Sequence, residues 1–199
     1  MTAAQPLPRD AARAAREARV LEVAGELFYA RGVHEVGMDE LVGATGMGKA
    51  SVYRLFPTKN ELIGAYLRRL GARILELIDA EASTRPADPA GALRAIFAAI
   101  AADLARPGFR GCPFNNASVE FADPAHPARE AARGYREALL QRLTALAIDL
   151  DPARGKLLAE RLALIIDGMY TSAAHLGAGG PAAAGPALAA ALIEEARRG

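Results

Sequence analysis

Residues 37–59 read GMDELVGATGMGKASVYRLFPTK. Two short helical segments, about 38–44 and 49–56, flank Gly46, a residue that accepts positive φ at no steric cost, and this is the pattern of a helix-turn-helix. Leu41, Val42 and Thr45 supply an apolar face on the first segment, and Met47, Val52 and Leu55 supply one on the second. Packing these faces together leaves the other side of 49–54 in water. From Thr45 to Asn60 the chain carries Lys49, Arg54 and Lys59 and no acid, so a chain of net charge +1 concentrates three positive charges here. Gly48, Lys49, Ala50 and Ser51 begin the second segment, the part of such a motif that meets base edges in the major groove. Lys49 can donate to guanine O6 and N7. Ser51, Tyr53 and Lys59 suit phosphate oxygens, which fix orientation without reading sequence. A packing corner with a solvated basic face is the competing reading, because motif matches of this kind carry false positives.

Outward from this stretch the pattern stays helical. Val20, Ala24, Leu27 and Phe28 fall on one face of a helix over about 10–31, which Gly32 ends, and that face completes a three-helix core. Further helices are expected at about 58–80, 89–105, 116–121, 127–148, 152–176 and 186–198. Alanine accounts for 47 of the 199 residues, prolines sit where helices begin or end, and no period-two run of β-branched residues supports a strand. The expected fold is all-α with about nine helices: a helix-turn-helix domain over 1–57, its first ten or so residues flexible, and a helical regulatory and dimerisation domain over 58–199. At this length a chain buries roughly 70% of its unfolded surface and needs no disulfide or metal staple. The single cysteine excludes an intrachain disulfide, and 52% apolar against 24% charged residues excludes disorder. No apolar run approaches the ~20 residues of a membrane span and no secretory h-region opens the chain, so a cytoplasmic location is expected.

LEVAGELFYARGVHEVGMDELVGATGMGKASVYRLFPTKNELIGAYL resembles the N-terminal segment of the tetracycline-repressor (TetR) family of bacterial transcription regulators. Phe28, Gly32, Leu41, Gly46, Val52-Tyr53, Phe56, Lys59 and Glu61-Leu62 carry the likeness over about residues 19–67. GFRGCPFNNASVEFADPAHP, residues 108–127, resembles a recurrent segment of the family's ligand-binding half. The resemblance implies that Tyr53 and Lys59 contact phosphates and that Gly48 to Ser51 and Arg54 meet DNA. Three positions depart from the pattern. Gly37 stands where Ser or Thr usually caps the second helix and touches a phosphate; glycine caps almost as well but has no hydroxyl. Val42 replaces a small alanine in the corner, and Leu55 replaces a polar residue. Arg9, Arg13, Arg16 and Arg19 precede the segment, either as an arm along DNA or, more simply, as a solvated helix end.

A helix-turn-helix reader usually grips two half-sites with two copies. Residues 157–176 are apolar nearly all round and the last helix is rich in small residues. Leu158, Leu162, Ile165, Ile166, Met169, Ala173, Leu188 and Leu192 are therefore expected at a two-fold homodimer interface, with burial inside one chain as the alternative. The resemblance also implies a pocket for an unidentified small-molecule effector within the middle helices. Its candidate lining is Tyr66, Phe97, Phe109, Phe114, Asn115, Phe121, Tyr135, Asp167, Met169, Tyr170 and His175. Asp167 invites a cationic ligand or an arginine partner, and Glu120 invites the same pair of readings. Cys112 is read as a buried inert thiol rather than a sensor. His34, His126 and His175 lack metal-ligand spacing, and no nucleophile elbow, phosphate loop or paired-acid signature appears, so no metal, cofactor or enzyme activity is expected. The expected function is a ligand-responsive DNA-binding regulator, a repressor on a palindromic operator in double-stranded DNA. A helical homodimer with small-molecule binding or an enzymatic role and no DNA function is the alternative.

Overall fold

The computed structural model describes residues 9–198, in which nine α-helices and one 3₁₀ turn account for all regular structure. The helices are α1 (Arg9–Arg31), α2 (Met38–Thr45), α3 (Lys49–Leu55), α4 (Lys59–Ser83), α5 (Pro89–Leu104), α6 (Pro113–Ser118), α7 (Pro127–Leu150), α8 (Gly155–Leu176) and α9 (Gly185–Arg198). The expectation of a flexible N-terminal stretch falls almost wholly on residues outside the described ones.

Helix boundaries follow local chemistry. Thr58 caps α4 by accepting the Glu61 amide at 3.2 Å, and Asp88 caps α5 by accepting the Gly91 amide at 2.7 Å, with Pro89 in the first turn. α6 begins at Pro113, three residues before the position expected from sequence. Pro113 is pre-set for the first helical turn and holds Cys112 extended. α8 starts three residues later than expected, because the Asp151 carboxylate takes the amides of Ala153 and Arg154, both at 3.0 Å, and bends the chain into a turn first.

Two apolar clusters hold the helices. The first joins Val20, Ala24 and Phe28 of α1 to Leu41, Val52 and Phe56, and continues without a break into Leu62, Ile63, Tyr66 and Leu67 of α4. Cys112, Phe114, Ala117 and the start of α7 belong to this same cluster, so its interior runs past residue 57 into the helical half. The second cluster gathers α5, the rest of α7, α8 and α9 around Phe97, Leu143, Leu162 and Ile193. α9 packs so closely on α8 that a Cβ at Gly185 would lie 2.3 Å from the Met169 sulfur, and only glycine fits that contact.

Candidate nucleic-acid interface and effector pocket

The turn between α2 and α3 is fixed by two residues. Gly46 takes φ +69, ends α2 in the left-handed region, and returns its amide to the Gly43 carbonyl. Thr45 locks the corner from inside: its hydroxyl donates to the Val42 carbonyl at 2.8 Å and accepts the Met47 amide at 3.2 Å. Leu41 and Val52 are fully buried against α1, whereas Val42, Met47 and Leu55 are half-buried at the margin of the cluster. With Val52 anchored inward, α3 turns Lys49, Ala50 and Arg54 to solvent, with Ser51 and Tyr53 half-exposed beside them. Gly37 and Gly48, both exposed, occupy the positions before α2 and α3 with extended backbones and no side-chain cap.

Two cations of this face, Lys49 and Lys59, already have partners. Lys49 Nζ lies 2.6 Å from the Asp39 carboxylate, both side chains exposed, and that hydrogen bond and charge push the Lys49 pKa upward. Lys59 Nζ donates to the His34 carbonyl at 3.3 Å. Arg31 pairs with Glu40 and so ties the end of α1 to α2. In the sequence the window from Thr45 to Asn60 holds no acid; the fold brings Asp39 into it from α2. Asp39 is the residue at this candidate face that sequence reasoning missed, and only its place in the first turn of a helix packed beside α3 could have signalled it. Of the leading arginines, Arg13 and Arg16 are exposed and Arg19 pairs with Glu22 at 3.2 Å, as a solvated helix end does.

The candidate pocket residues are largely packed on one another. Phe114 stacks on Tyr135 with centroids 3.9 Å apart, and burial raises the Tyr135 hydroxyl pKa. The Tyr170 hydroxyl donates to the Asp103 carboxylate at 3.0 Å, beside Phe109. Asp167 pairs with Arg136, whose other Nη donates to Asn115 Oδ1 at 3.1 Å, so an arginine fills the role that a cationic ligand was offered. Phe97 and Met169 lie fully inside the second cluster, Phe121 stacks on His126 at 3.6 Å, and His175 is exposed. Glu120 faces His34 at 3.3 Å. Cys112 is buried, and desolvation raises its thiol pKa, which keeps it protonated.

Space opens elsewhere. A cleft of about 330 Å³ lies between the end of α1, α4 and α6, lined by Phe28, Val33, Tyr66 and Ala117 among others. Burial pushes the Tyr66 hydroxyl up to about 12, so it faces this cleft as a neutral group. A second cleft of about 390 Å³ lies between α4 and α7 and includes Tyr135. Among the described residues, no group of three His, Cys, Asp or Glu side chains could hold a metal ion.

The sites expected for pairing also divide. Leu158, Leu162, Ile166, Met169 and Ala173 are consumed in the second cluster of the same chain, which removes them from any open surface. The periodicity of α8 was satisfied on that side by α5, α7 and α9. Ile165 and Leu192 are half-buried and Leu188 is 54% exposed. The uncovered side of α8 instead carries Leu157 at 47% and Leu164 at 70% exposure.

An exposed cationic recognition helix on a three-helix core, continuous with an all-helical second half, defines a helix-turn-helix regulator. Residues 20–66 match the family model of bacterial regulatory proteins of the tetR family, and residues 89–178 match that of the tetracycline-repressor-like C-terminal domain. The chain belongs to the TetR family of transcriptional regulators, a family of DNA-binding regulators rather than enzymes. A solved TetR-family regulator from Streptomyces coelicolor is 31% identical, with a TM-score of 0.79 over 93% of this chain and 95% of that one. Another, from Streptomyces avermitilis, is 29% identical with a TM-score of 0.73, covering 91% of this chain and 97% of that one. Among curated relatives, the transcriptional activator FasR of Mycolicibacterium smegmatis is 41% identical over 63 residues, 32% of this chain and 27% of its own length. The transcriptional repressor Rv3405c of Mycobacterium tuberculosis is 34% identical over 71 residues, 36% of each chain. The chain thus spans between about a quarter and a little over a third of the length of these curated relatives. No described helix is long and apolar enough to cross a membrane.

Proposed function

We propose that this chain works in the cytoplasm as a homodimer that binds a palindromic operator and represses transcription until a small molecule releases it. The single observation that carries the reading is the solvent face of α3, where Lys49, Ala50 and Arg54 project beside Tyr53 from a helix anchored by Val52. In this reading Lys49 leaves Asp39 for a guanine edge, while Ser51, Tyr53 and Lys59 hold phosphates. Gly37, Gly48 and Ala50 contribute close backbone approach. The dimer forms through the uncovered faces of α8 and α9, with Leu157, Leu164 and Leu188 at its centre and Ile165 and Leu192 at its margin. The small exposed residues Ala184, Ala187 and Ala191 let two copies approach closely. Release requires an effector whose affinity differs between the DNA-competent arrangement and another, not tight binding alone.

Titration of the intergenic DNA beside the chain's own gene, followed by fluorescence anisotropy at several salt concentrations, tests this directly. Saturable, salt-sensitive binding of two chains per site is the expected result. Binding that does not discriminate that DNA from a scrambled duplex overturns the reading.

A further inference from the structure

The end of α5 and the loop that follows it, residues 103–112, are wedged between α1 and α8. On one side this segment meets α8. The Tyr170 hydroxyl donates to Asp103 Oδ2 at 3.0 Å, the Tyr170 and Phe109 rings lie 6.0 Å apart, and a Cβ at Gly111 would stand 3.3 Å from the Ala174 Cβ. Burial raises the Tyr170 pKa, which keeps that hydroxyl a donor. On the other side the segment meets the end of α1. The Tyr29 hydroxyl accepts the Arg110 amide at 2.8 Å and donates to the Gly111 carbonyl at 3.2 Å. The Arg110 guanidinium donates to the Tyr29 carbonyl at 3.1 Å and to that of Ala30, in the last turn of α1, where helix carbonyls lack partners of their own. Arg106 joins the two sides. Its Nε donates to Asp103 Oδ1 at 2.7 Å, and its guanidinium carbon lies 4.6 Å from the centre of the Tyr29 ring and 5.8 Å from that of Phe109.

We infer that Arg106 and Tyr29 are positioning residues for DNA recognition: they brace the helix-turn-helix domain against α8, and through α8 against the second copy, and so set how far apart the two α3 helices stand. The inference rests on the reading of the chain as a dimeric operator-binding regulator and deepens it by naming side chains that act away from the DNA. An arginine suits the task. Its flat guanidinium lies over an aromatic face while its N–H edge meets a carboxylate, two contacts in different directions that fix an orientation; a lysine ammonium offers only a point charge. Arg106 is 40% exposed and fills no core space, so its removal costs the fold little. Leverage follows from position. Val20 and Ala24 of α1 pack in the cluster that holds Val52, so a tilt of α1 at Tyr29 carries α3 with it. α4 already runs from one half to the other, and a tie at Tyr29, off the α4 axis, resists rotation about that axis.

The test uses the full-length chain, the operator mapped by footprinting on the DNA beside its gene, and a duplex carrying a single half-site. Arg106→Gln should lower operator affinity roughly tenfold and leave half-site affinity within about twofold, because the reading helix itself is untouched. Its preference among operators lengthened or shortened by a base pair at the centre should flatten. Tyr29→Phe keeps the ring under Arg106 and loses only the hydroxyl bonds; it should lower operator affinity roughly threefold, and it carries the test if Arg106→Gln does not fold. Asp103→Asn added to Arg106→Gln should cost no more than the worse of the two alone, since both break one set of contacts. Equal losses on operator and half-site, an unaltered spacing preference, or losses that simply add overturn the inference. A distance measurement judges the brace without DNA. Spin labels at the exposed positions Ala50→Cys in α3 and Gln141→Cys in α7 report it, with Cys112 buried and labelled chains diluted in unlabelled ones. The parent should give a narrow distance distribution and both Arg106→Gln and Tyr29→Phe a broader one; distributions as narrow as the parent's overturn the inference. Absence of operator binding by the parent defeats the regulator reading, and the label distances then decide the brace by themselves.

Discussion

Helix α3 and helix α8 each present side chains that no packed element among the described residues covers, and the two open faces differ in kind. On α3 the open face is cationic and polar, Lys49, Ser51, Tyr53 and Arg54, and water satisfies it at no cost. On α8 it is aliphatic, with Leu157 and Leu164 two turns apart, joined on α9 by Leu188. An aliphatic face left in water forgoes about 25 cal/mol for each Å² it could bury, so it gains from a partner of like character. A hydrated cationic face gains little from an apolar partner but much from a polyanion that releases counterions. The two binding tasks of the proposed function are thus separated by the chemistry of the face left open.

The sharpest way to break this contrast is within α8 itself, between neighbours on opposite sides. Leu162 is fully buried and Leu164 is 70% exposed. Leu162→Ala should cost about 2–5 kcal/mol of stability through the cavity it leaves, read in urea unfolding curves. Leu164→Asp should leave the fold intact but yield monomers in light scattering, with operator affinity falling by roughly a hundredfold as the second half-site contact is lost. A dimer that survives Leu164→Asp would place the pairing surface elsewhere.

On the α3 side the expected effects are smaller. Lys49→Ala should cost about 1–3 kcal/mol of discrimination at one base position, measured against a panel of operator variants. Lys59→Ala should weaken every sequence alike and reduce the salt slope by about one unit. Asp39→Asn sharpens the comparison further, because it frees Lys49 from its carboxylate partner. Non-specific affinity should rise a few-fold and the salt dependence should steepen; unchanged binding would show that Lys49 does not leave Asp39 for DNA.

The smallest effect concerns pH. Burial lowers the pKa of His126, whose Nδ1 accepts the Ala128 amide at 3.2 Å and caps α7, and whose Nε2 is buried without a hydrogen-bond partner. The unfolded chain therefore binds more protons than the folded chain between the lowered value and the ordinary value near ~6.5. This contribution to stability is fully present above that ordinary value and is lost as pH falls through the lowered one. Thermal melts between pH 5 and 7.5 should show the slope, and His126→Asn, which preserves the cap, should flatten it.

The helical class, the helix-turn-helix and its family were legible because they depend on local signals. Gly46 at the corner, Thr58 and Asp88 at helix starts, and the spacing of Val20, Ala24 and Phe28 each act over a few residues. What escaped the sequence depends on which side of a helix another helix covers. Leu162 and Leu164 are alike as letters, yet α8 is apolar all round, so periodicity names no preferred side, and the neighbours alone separate core from open face. Asp39 and Lys49 are ten positions apart on different helices, and their pairing exists only because Gly46 folds one helix back on the other. The cleft between α1, α4 and α6 has the same origin. Its walls come from residues as far apart as Phe28 and Ala117, and its emptiness is a property of how α1, α4 and α6 fail to fill the space between them. The sequence by itself determined what each segment becomes, since backbone preference and hydrophobic spacing are short-range. The tertiary structure alone decided which faces are spent and where room remains, since burial is a property of pairs of distant segments.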